Sequence, residues 1–491
     1  MSSRNRWRAL AIVSSALFLI TIDMTVLYIA LPTLTHELEA TASEKLWILN
    51  AYALMVAGLL PGMGTLGDRV GHRRMFLSGL CVFGLASLLA AFAPSSLKLI
   101  AARVALGAGA AMMMPATLSI IRLLFADVRE RAFAMGVWGA ISAGGAALGP
   151  VLGGVLLEYF WWGSVFLINV PVVAAAFVAG WLVLPKDMPE GQTPWSPLGS
   201  FQVMIGLMGV TFAIKECAKT QPSWSMALAA LAIGVTGLAV FVRGQRRSAS
   251  PLIDFRLFAD RDFSTGVAVA LFSSLAMIGV ELALSQRMQL VLGLTPLYAA
   301  LAILPIPLAA FVGGPLSGLA LPRLGARKLL FSMLLLTCAG LVLLLLGREG
   351  HGVLSMSGMA AIGLGMGAGM SGASTVIMGR ASARQAGMAA SIEEVSFEMG
   401  GALGIAVFGA VLSAVYSATL MLPGELAGLS TAYDSLDAAI LASESLAPEA
   451  AGTLVALARA SFEKAFTAVV AIASAMLLAV AFAVVFRRRA G

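Results

Sequence analysis

The chain has 491 residues, of which 59% are hydrophobic and only 12% are charged, whereas about 25% of the residues of an ordinary soluble domain are charged. This composition, with a mean hydropathy of +0.93, excludes a soluble enzyme and predicts an all-α integral membrane protein. The net charge of +7 does not indicate a nucleic-acid partner, because most Lys and Arg residues fall in the termini and in alternate loops, as the positive-inside rule describes.

Apolar stretches of about 20 residues recur along the whole chain, and each is long enough to cross a hydrocarbon core of roughly 30 Å as a helix. The fourteen predicted spans are 9–32, 46–66, 75–94, 97–119, 133–157, 164–184, 199–217, 224–242, 264–286, 296–319, 329–347, 353–378, 387–415 and 465–486. The even number of spans and the positive-inside distribution together place both termini in the cytoplasm. The sequence therefore predicts a multi-pass protein of the bacterial inner membrane.

Span 1 carries Asp23 near its middle, and span 4 carries Arg103. A charge at the bilayer centre costs roughly 2.5–3.5 kcal/mol on insertion scales, so such residues are kept mainly for function. We expect the two residues to pair, because Arg103 stabilises the charged form of Asp23 and movement away from it favours protonation. The pair is the predicted proton-coupling site, and the alternative is a fixed structural ion pair.

The loop after span 2 reads Gly-Thr-Leu-Gly-Asp-Arg-Val-Gly-His-Arg-Arg over residues 64–74. Its glycines allow a tight turn and a close approach of helices, and Asp68 can cap the N-terminus of a neighbouring helix or pair with an arginine. A plain positive-inside loop would explain the arginines but not the glycine spacing. We predict that the loop latches the cytoplasmic side shut through the residues Gly64, Asp68, Arg69, Gly71 and Arg73.

A second copy of this loop follows span 10 at residues 318–328, with glycines and basic residues at the same spacing and Pro322 in the place of Asp68. Such an internal repeat indicates two related halves. The predicted domains are a six-helix bundle over 1–184, two inserted spans with cytoplasmic linkers over 185–263, and a second six-helix bundle over 264–491. The second bundle includes a periplasmic loop at about 417–463, which is either a solvated linker or a cap over a binding site.

The fifth span has Gly145, Gly149 and Gly153 at positions i, i+4 and i+8, followed by Gly154. This spacing predicts a smooth helix face on which another helix can slide or pack closely, and Pro150 should bend the helix. Static packing alone would produce the same pattern. If the helices slide on this face during transport, the five residues that form it are candidates for gating: Gly145, Gly149, Pro150, Gly153 and Gly154.

Span 13 carries Glu393, Glu394 and Glu398. Glu394 and Glu398 share one helix face, whereas Glu393 points about 100° away. Because like charges repel, at least one of these groups should hold a proton at rest. Weaker candidates for the substrate site are Glu281 in the outer part of span 9 and the aromatic residues Trp47, Tyr52, Tyr28 and Trp138, which can face a delocalised cation. Lys215 with Glu216 is expected to form an interfacial pair or to anchor the inserted spans.

Several of these segments resemble motifs of the major facilitator superfamily. Residues 64–74 resemble its signature loop, residues 99–111 its fourth-helix motif, with Leu106 at the position where a glutamine is usual, and residues 145–154 its antiporter motif. Residues 22–32, together with 169–171, resemble its fourteen-span drug:proton antiporter branch. Residues 386–400 resemble multidrug exporters of the QacA and SmvA type.

The resemblance implies the major facilitator fold and a proton-coupled antiporter that exports lipophilic, mostly cationic drugs and antiseptics from the cytoplasm or the inner leaflet. Quaternary ammonium compounds, biguanides and dyes are the expected substrates. That branch uses acids at the positions of Glu393 and Glu394 for lipophilic cations, so these two residues, with Glu398 as a weaker candidate, are the expected substrate-binding acids. The alternative is an exporter of a narrower solute, such as a basic amino acid, a siderophore or a lipid.

The sequence carries no nucleotide-binding motif, so we expect the proton gradient, and not ATP, to drive transport. His36, His72 and His351 are scattered over loops, which predicts neither a metal site nor a catalytic triad. The protein is therefore not expected to be an enzyme or to need a cofactor. Its expected partners are protons, small lipophilic cations and the lipid bilayer, and we expect it to act as a monomer.

Overall fold

The computed structural model describes residues 3–40, 42–186, 195–217, 222–248, 251–347, 352–424, 426 and 429–486. Over these ranges the secondary structure is helical, with no β-strand. Fourteen of the described helical segments are long and apolar enough to cross a membrane. The predicted all-α fold with fourteen spans is confirmed.

The helices of the first half are α1 (Ser3–Glu37), α2 (Ala42–Val70), α3 (His72–Ala91), α4 (Ser96–Leu124), α5 (Val128–Tyr159), α6 (Ser164–Leu167) and α7 (Asn169–Val183). Next come α8 (Pro197–Cys217) and α9 (Trp224–Arg247). The second half contains α10 (Arg261–Gln286), α11 (Pro296–Ile303), α12 (Pro305–Leu324), α13 (Ala326–Leu346), α14 (Gly352–Arg380), α15 (Ala386–Thr419), α16 (Leu436–Ser443) and α17 (Pro448–Phe486). The pairs α6/α7 and α11/α12 each form one broken span.

One large hydrophobic cluster centres on the first half and extends into α14 and α15, and a second lies within the second half. In the first half α1 packs against α5 and α7, and α4 packs against α2 and α3. In the second half α10 packs against α14, α15 and α17, and α13 packs against α14 and α17. This grouping matches the repeat seen in the sequence, while the domain boundaries at 184 and 264 stay a prediction.

The two largest contacts between the halves are α5 with α12 and α2 with α15, and smaller ones join α4 to α15 and α5 to α14. A Cβ atom added to Gly136 of α5 would lie 2.7 Å from the carbonyl carbon of Gly314 and 2.8 Å from the Cα of Pro315, both on α12. We call the second contact the α2–α15 seam. It closes at one end, where Gly64 of α2 lies against the backbone of Gly387 of α15.

The two copies of the repeated loop share a backbone turn. Gly71, which precedes α3, has a φ angle of 103°, and Gly325, which precedes α13, has a φ angle of 74°. Residues other than glycine rarely adopt such angles. The repeat therefore reflects a shared requirement of the backbone at the same turn of each half.

The stretch at 417–463 is largely folded over its described residues. α16 lies within it, and α17 begins at Pro448, well before the predicted start of span 14 at residue 465. The Tyr416 hydroxyl donates a hydrogen bond to the carbonyl oxygen of Ala432 at 2.9 Å. Hydropathy missed the outer part of α17 because only one of its faces, with Leu454 and Phe462, is buried.

Candidate functional site

Asp23 lies in a fully buried polar cluster of the first half. Arg103 Nη1 of α4 donates to Asp23 Oδ2 at 2.6 Å, and Asn169 Nδ2 at the start of α7 donates to Asp23 Oδ1 at 3.1 Å. Arg103 Nε also donates to the carbonyl oxygen of Ile48 at 3.3 Å, and Asn169 contacts Ser87 Oγ at 3.3 Å. The structure thus brings Asp23 and Arg103 together and adds Asn169, which the sequence analysis quoted in a motif but did not choose as a site residue.

Tyr52 of α2 connects this cluster to the seam. The guanidinium carbon of Arg103 lies 4.5 Å from the centre of the Tyr52 ring. The buried Tyr52 hydroxyl has no hydrogen-bond partner among the described residues, and it is close enough to interact electrostatically with both Asp23 and Glu398. The ring is therefore occupied by Arg103 and does not present an open aromatic face to a ligand.

The three acids of α15 are packed tightly. Glu393 is fully buried and accepts a hydrogen bond from Ser374 of α14. Glu394 is 4% exposed and lies close enough to Glu393 and Glu398 for its charge to be repelled by both. Neither Glu393 Oε2 nor Glu394 Oε1 has a hydrogen-bond partner within the described part of the chain. An uncompensated carboxylate in such surroundings is costly, so this cluster favours a proton or a cation.

The side chain of Asp68, in the first half, forms hydrogen bonds with the second half. Its Oδ1 accepts a hydrogen bond from the backbone N–H of Gly387 at 2.7 Å, and its Oδ2 accepts one from Met388 at 3.0 Å. The carboxylate thus caps the N-terminus of α15, where the helix dipole favours a negative charge. His72 Nε2 lies 3.3 Å from Asp68 Oδ1. At this end of the molecule the two halves are therefore in direct contact.

The remaining residues of the predicted latch have different surroundings. Arg69 is exposed, and Arg73 donates to the carbonyl oxygen of Trp181 at 2.6 Å while stacking on its ring. A further contact between the halves at this end was not expected from the sequence: Arg122 Nη2 donates to the carbonyl oxygen of Ala381 at 2.6 Å.

The glycine face of α5 packs on α1. A Cβ atom on Gly145 or on Gly149 would collide with the hydroxyl oxygen of Thr21 or of Thr25, respectively. Gly153 is buried and Gly154 is open to space, and Pro150 lies inside the helix. The close approach between the halves involves Gly136 of α5 instead, three turns nearer the closed end.

The weaker candidates for the substrate site lie in different parts of the molecule. Glu281 is exposed and lines a cavity between helices of the second half, and Trp138 is buried and donates its N–H to Thr117 at 3.0 Å. Trp47 is 43% exposed and stacks on Phe212 of α8. The side chain of Tyr28 lies outside the described residues. In the described ranges no group of three or more His, Cys, Asp or Glu residues could hold a metal ion.

Comparisons with known proteins agree with one another. The sequence profile of the Major Facilitator Superfamily matches residues 13–405. The chain is 36% identical to the methyl viologen resistance protein SmvA of Salmonella typhimurium over 97% of both chains. It is 35% identical to the multidrug efflux pump LfrA of Mycolicibacterium smegmatis over 98% of this chain and 96% of that one.

The fold has a solved counterpart. The human organic anion transporter MFSD10 superposes with a TM-score of 0.62 over 97% of this chain and 100% of its own, at 16% sequence identity. At this identity the likeness concerns the fold alone.

Proposed function

The chain belongs to the Major Facilitator Superfamily and is a transporter, not an enzyme, and we propose that it exports lipophilic, mostly cationic drugs and antiseptics in exchange for protons. Its relatives of similar length are efflux and resistance proteins. Methyl viologen, which the name of one relative cites, is a divalent organic cation, and this chemistry matches an acidic binding site.

The observation that carries the proposal is the acidic cluster of α15. Glu393 and Glu394 are buried in the membrane-spanning region, and among the described residues neither is hydrogen-bonded to a basic side chain. Buried charges in membranes are retained mainly for transport and proton relay. A cation that enters the seam can replace the proton that neutralises such a carboxyl group, which is the exchange that an antiporter needs.

Asp23 is the proposed coupling group. Its two oxygens are held by Arg103 and Asn169 from different helices, so a movement of α4 or α7 relative to α1 changes the stability of the charged carboxylate. Tyr52 contacts Arg103 of this cluster and is within electrostatic range of Glu398. The proposed role of Tyr52 is to transmit the charge state of one site to the other.

Alternating access is the proposed mechanism. The structure is closed at the end where Asp68 caps α15, Arg122 binds the Ala381 carbonyl, and α5 crosses α12 at Gly136. Rocking of the two halves would open this end and close the other. We further propose that the protein lies in the bacterial inner membrane with both termini in the cytoplasm and acts as a monomer.

Transport by purified protein in proteoliposomes with an imposed proton gradient tests this function. Ethidium accumulation should follow the gradient and stop when a protonophore collapses it, while empty liposomes serve as the control. A resistance profile in a pump-deficient bacterium then defines the range of substrates. If the protein does not raise resistance to quaternary ammonium compounds, biguanides or dyes, the alternative of an exporter of a narrower solute is favoured.

A further inference from the structure

The inserted helix α8 packs along α2 and also touches α15. Ser200 lies against Gly62 and Met208 against Gly58 of α2, and Phe212 stacks on Trp47 with ring centres 5.9 Å apart. These contacts run from the closed end of α2 to its outer end. The register of α8 against α2 is therefore fixed, and so is the position of the next residues of α8.

Lys215 lies one turn beyond Thr211 on α8 and points into the seam. Its Nζ donates to Asn50 Oδ1 of α2 at 2.9 Å. Thr211 Oγ1 lies 3.4 Å from Met399 Sδ of α15, so this turn of α8 touches both halves of the protein. The neighbouring Glu216 accepts a hydrogen bond at Oε1 from the backbone N–H of Ser223, and the interfacial pair of Lys215 with Glu216 stays a prediction.

Glu398 lies within about one helical turn of the level of Asn50 along the seam. On α15, Gly387, Ser391, Glu394 and Glu398 are spaced by three or four residues and so share one face, and the first two contact Gly64 of α2. By helical rise Glu398 is about 16 Å from Gly387, and Asn50 is about 21 Å from Gly64. Lys215 and Glu398 are close enough for their charges to attract.

We propose that Lys215 is a resident counter-ion of the α2–α15 seam, which neutralises Glu398 when no substrate is bound and competes with cationic substrates for that carboxylate. This inference rests on the proposed function, because it assumes cationic substrates. It gives the inserted helix α8 a role in substrate selection. The net charge that a substrate meets is then set by residues of all three parts of the chain.

If a fixed charge competes with the ligand, the effect of removing it on affinity increases with the charge of the ligand. The electrostatic free energy that Lys215 adds to a bound ligand is proportional to the charge of that ligand. A unit charge about 10 Å away at an effective dielectric constant of about 20 changes the affinity for a monovalent cation roughly tenfold. The same change is then roughly a hundredfold for a divalent cation and close to none for a neutral compound, whereas structural damage would not follow ligand charge.

The test measures dissociation constants for three ligands on the full-length protein purified in detergent: monovalent ethidium, divalent methyl viologen and neutral Nile red. Lys215→Gln should bind ethidium roughly tenfold and methyl viologen roughly a hundredfold more tightly, with Nile red unchanged. Lys215→Arg should behave like the wild type. Lys98→Gln is the matched control, because it removes the same charge from an exposed position of α4.

A second arm tests the partner of Lys215. Glu398→Gln alone should weaken cation binding, and the double variant Lys215→Gln with Glu398→Gln should return to within about threefold of the wild-type affinity, since the two charges cancel. Wild-type protein that binds cations, combined with a Lys215→Gln variant that shows no charge-graded change, would overturn this inference alone. Wild-type protein that binds neither cation would overturn the proposed function and the inference with it.

Discussion

Replacement of Asp68 by asparagine should weaken the closed state of the transporter. The Asp68 carboxylate accepts backbone hydrogen bonds from Gly387 at 2.7 Å and from Met388 at 3.0 Å at the N-terminus of α15. Hydrogen bonds to charged groups contribute about 1.5–3 kcal/mol, and the charge at a helix N-terminus adds about 0.3–1 kcal/mol. Asparagine keeps one acceptor oxygen but loses the charge and the second acceptor.

The expected loss is therefore about 1–3 kcal/mol of the stability of the closed state relative to the open one, which changes the ratio of the two states by roughly 5- to 150-fold. Electron–electron double resonance between spin labels at Arg8 and Lys328 measures this ratio. Both positions are exposed, one in each half, at the closed end. The three native cysteines, Cys81, Cys217 and Cys338, are replaced by serine in this background.

Asp127→Asn is the matched control. Asp127 Oδ1 accepts backbone hydrogen bonds from Arg129 and Glu130 at 2.9 Å each, so it makes the same kind of helix cap within one half. The Asp68→Asn protein should gain a population with a longer distance, and the Asp127→Asn protein should not. A distance distribution for Asp68→Asn that matches either the wild type or the control would refute the latch.

Four further predictions concern coupling, selection, gating and topology. Asp23→Asn should abolish gradient-driven transport of every substrate and leave ligand binding in detergent measurable, because the variant loses the proton site and not the acids of α15. Glu394→Gln should lose divalent substrates and keep some monovalent ones in vesicle transport, because a divalent cation needs more negative charge in a low-dielectric cavity. Gly136→Ala should cost about 1–3 kcal/mol through overpacking against α12 and lower transport, whereas Gly139→Ala on the same helix, with nothing within 4 Å of the new Cβ atom, should be tolerated. A reporter active only in the periplasm should stay silent when fused to the C-terminus, and activity there would contradict the even number of spans.

Hydropathy was sufficient to predict the fold because lipid requires about 20 apolar residues for each crossing. The pairing of Asp23 with Arg103 could also be predicted from the sequence, because few charges interrupt the predicted spans and a buried acid needs a base nearby. The outer part of α17 was missed because its apolar residues follow one face and do not form an uninterrupted run.

Contacts between distant parts of the chain could not be predicted from local pattern. The glycine and aspartate spacing of residues 64–74 indicates a cap, but the helix that receives it, α15, begins more than 300 residues later at Ala386. The position of α8 was likewise hidden, because an apolar span gives no sign of which helices it will touch. Lys215 therefore looked like an interfacial pair or an anchor, and only the fold brings it to Asn50 of α2 and within electrostatic range of Glu398.

In the proposed mechanism, the position of the acids on α15 connects substrate binding with gating. The residues of this helix that close the seam, Gly387 and Ser391, share a face with Glu394 and Glu398, and all four belong to one continuous helix. In the proposed mechanism α15 moves as a rigid element, so the release of Asp68 separates α15 from α2 and opens a path from the closed end to Glu394. A ligand or proton that changes the charge of Glu394 therefore acts on the element that must move, and no separate relay between the binding site and the latch is needed.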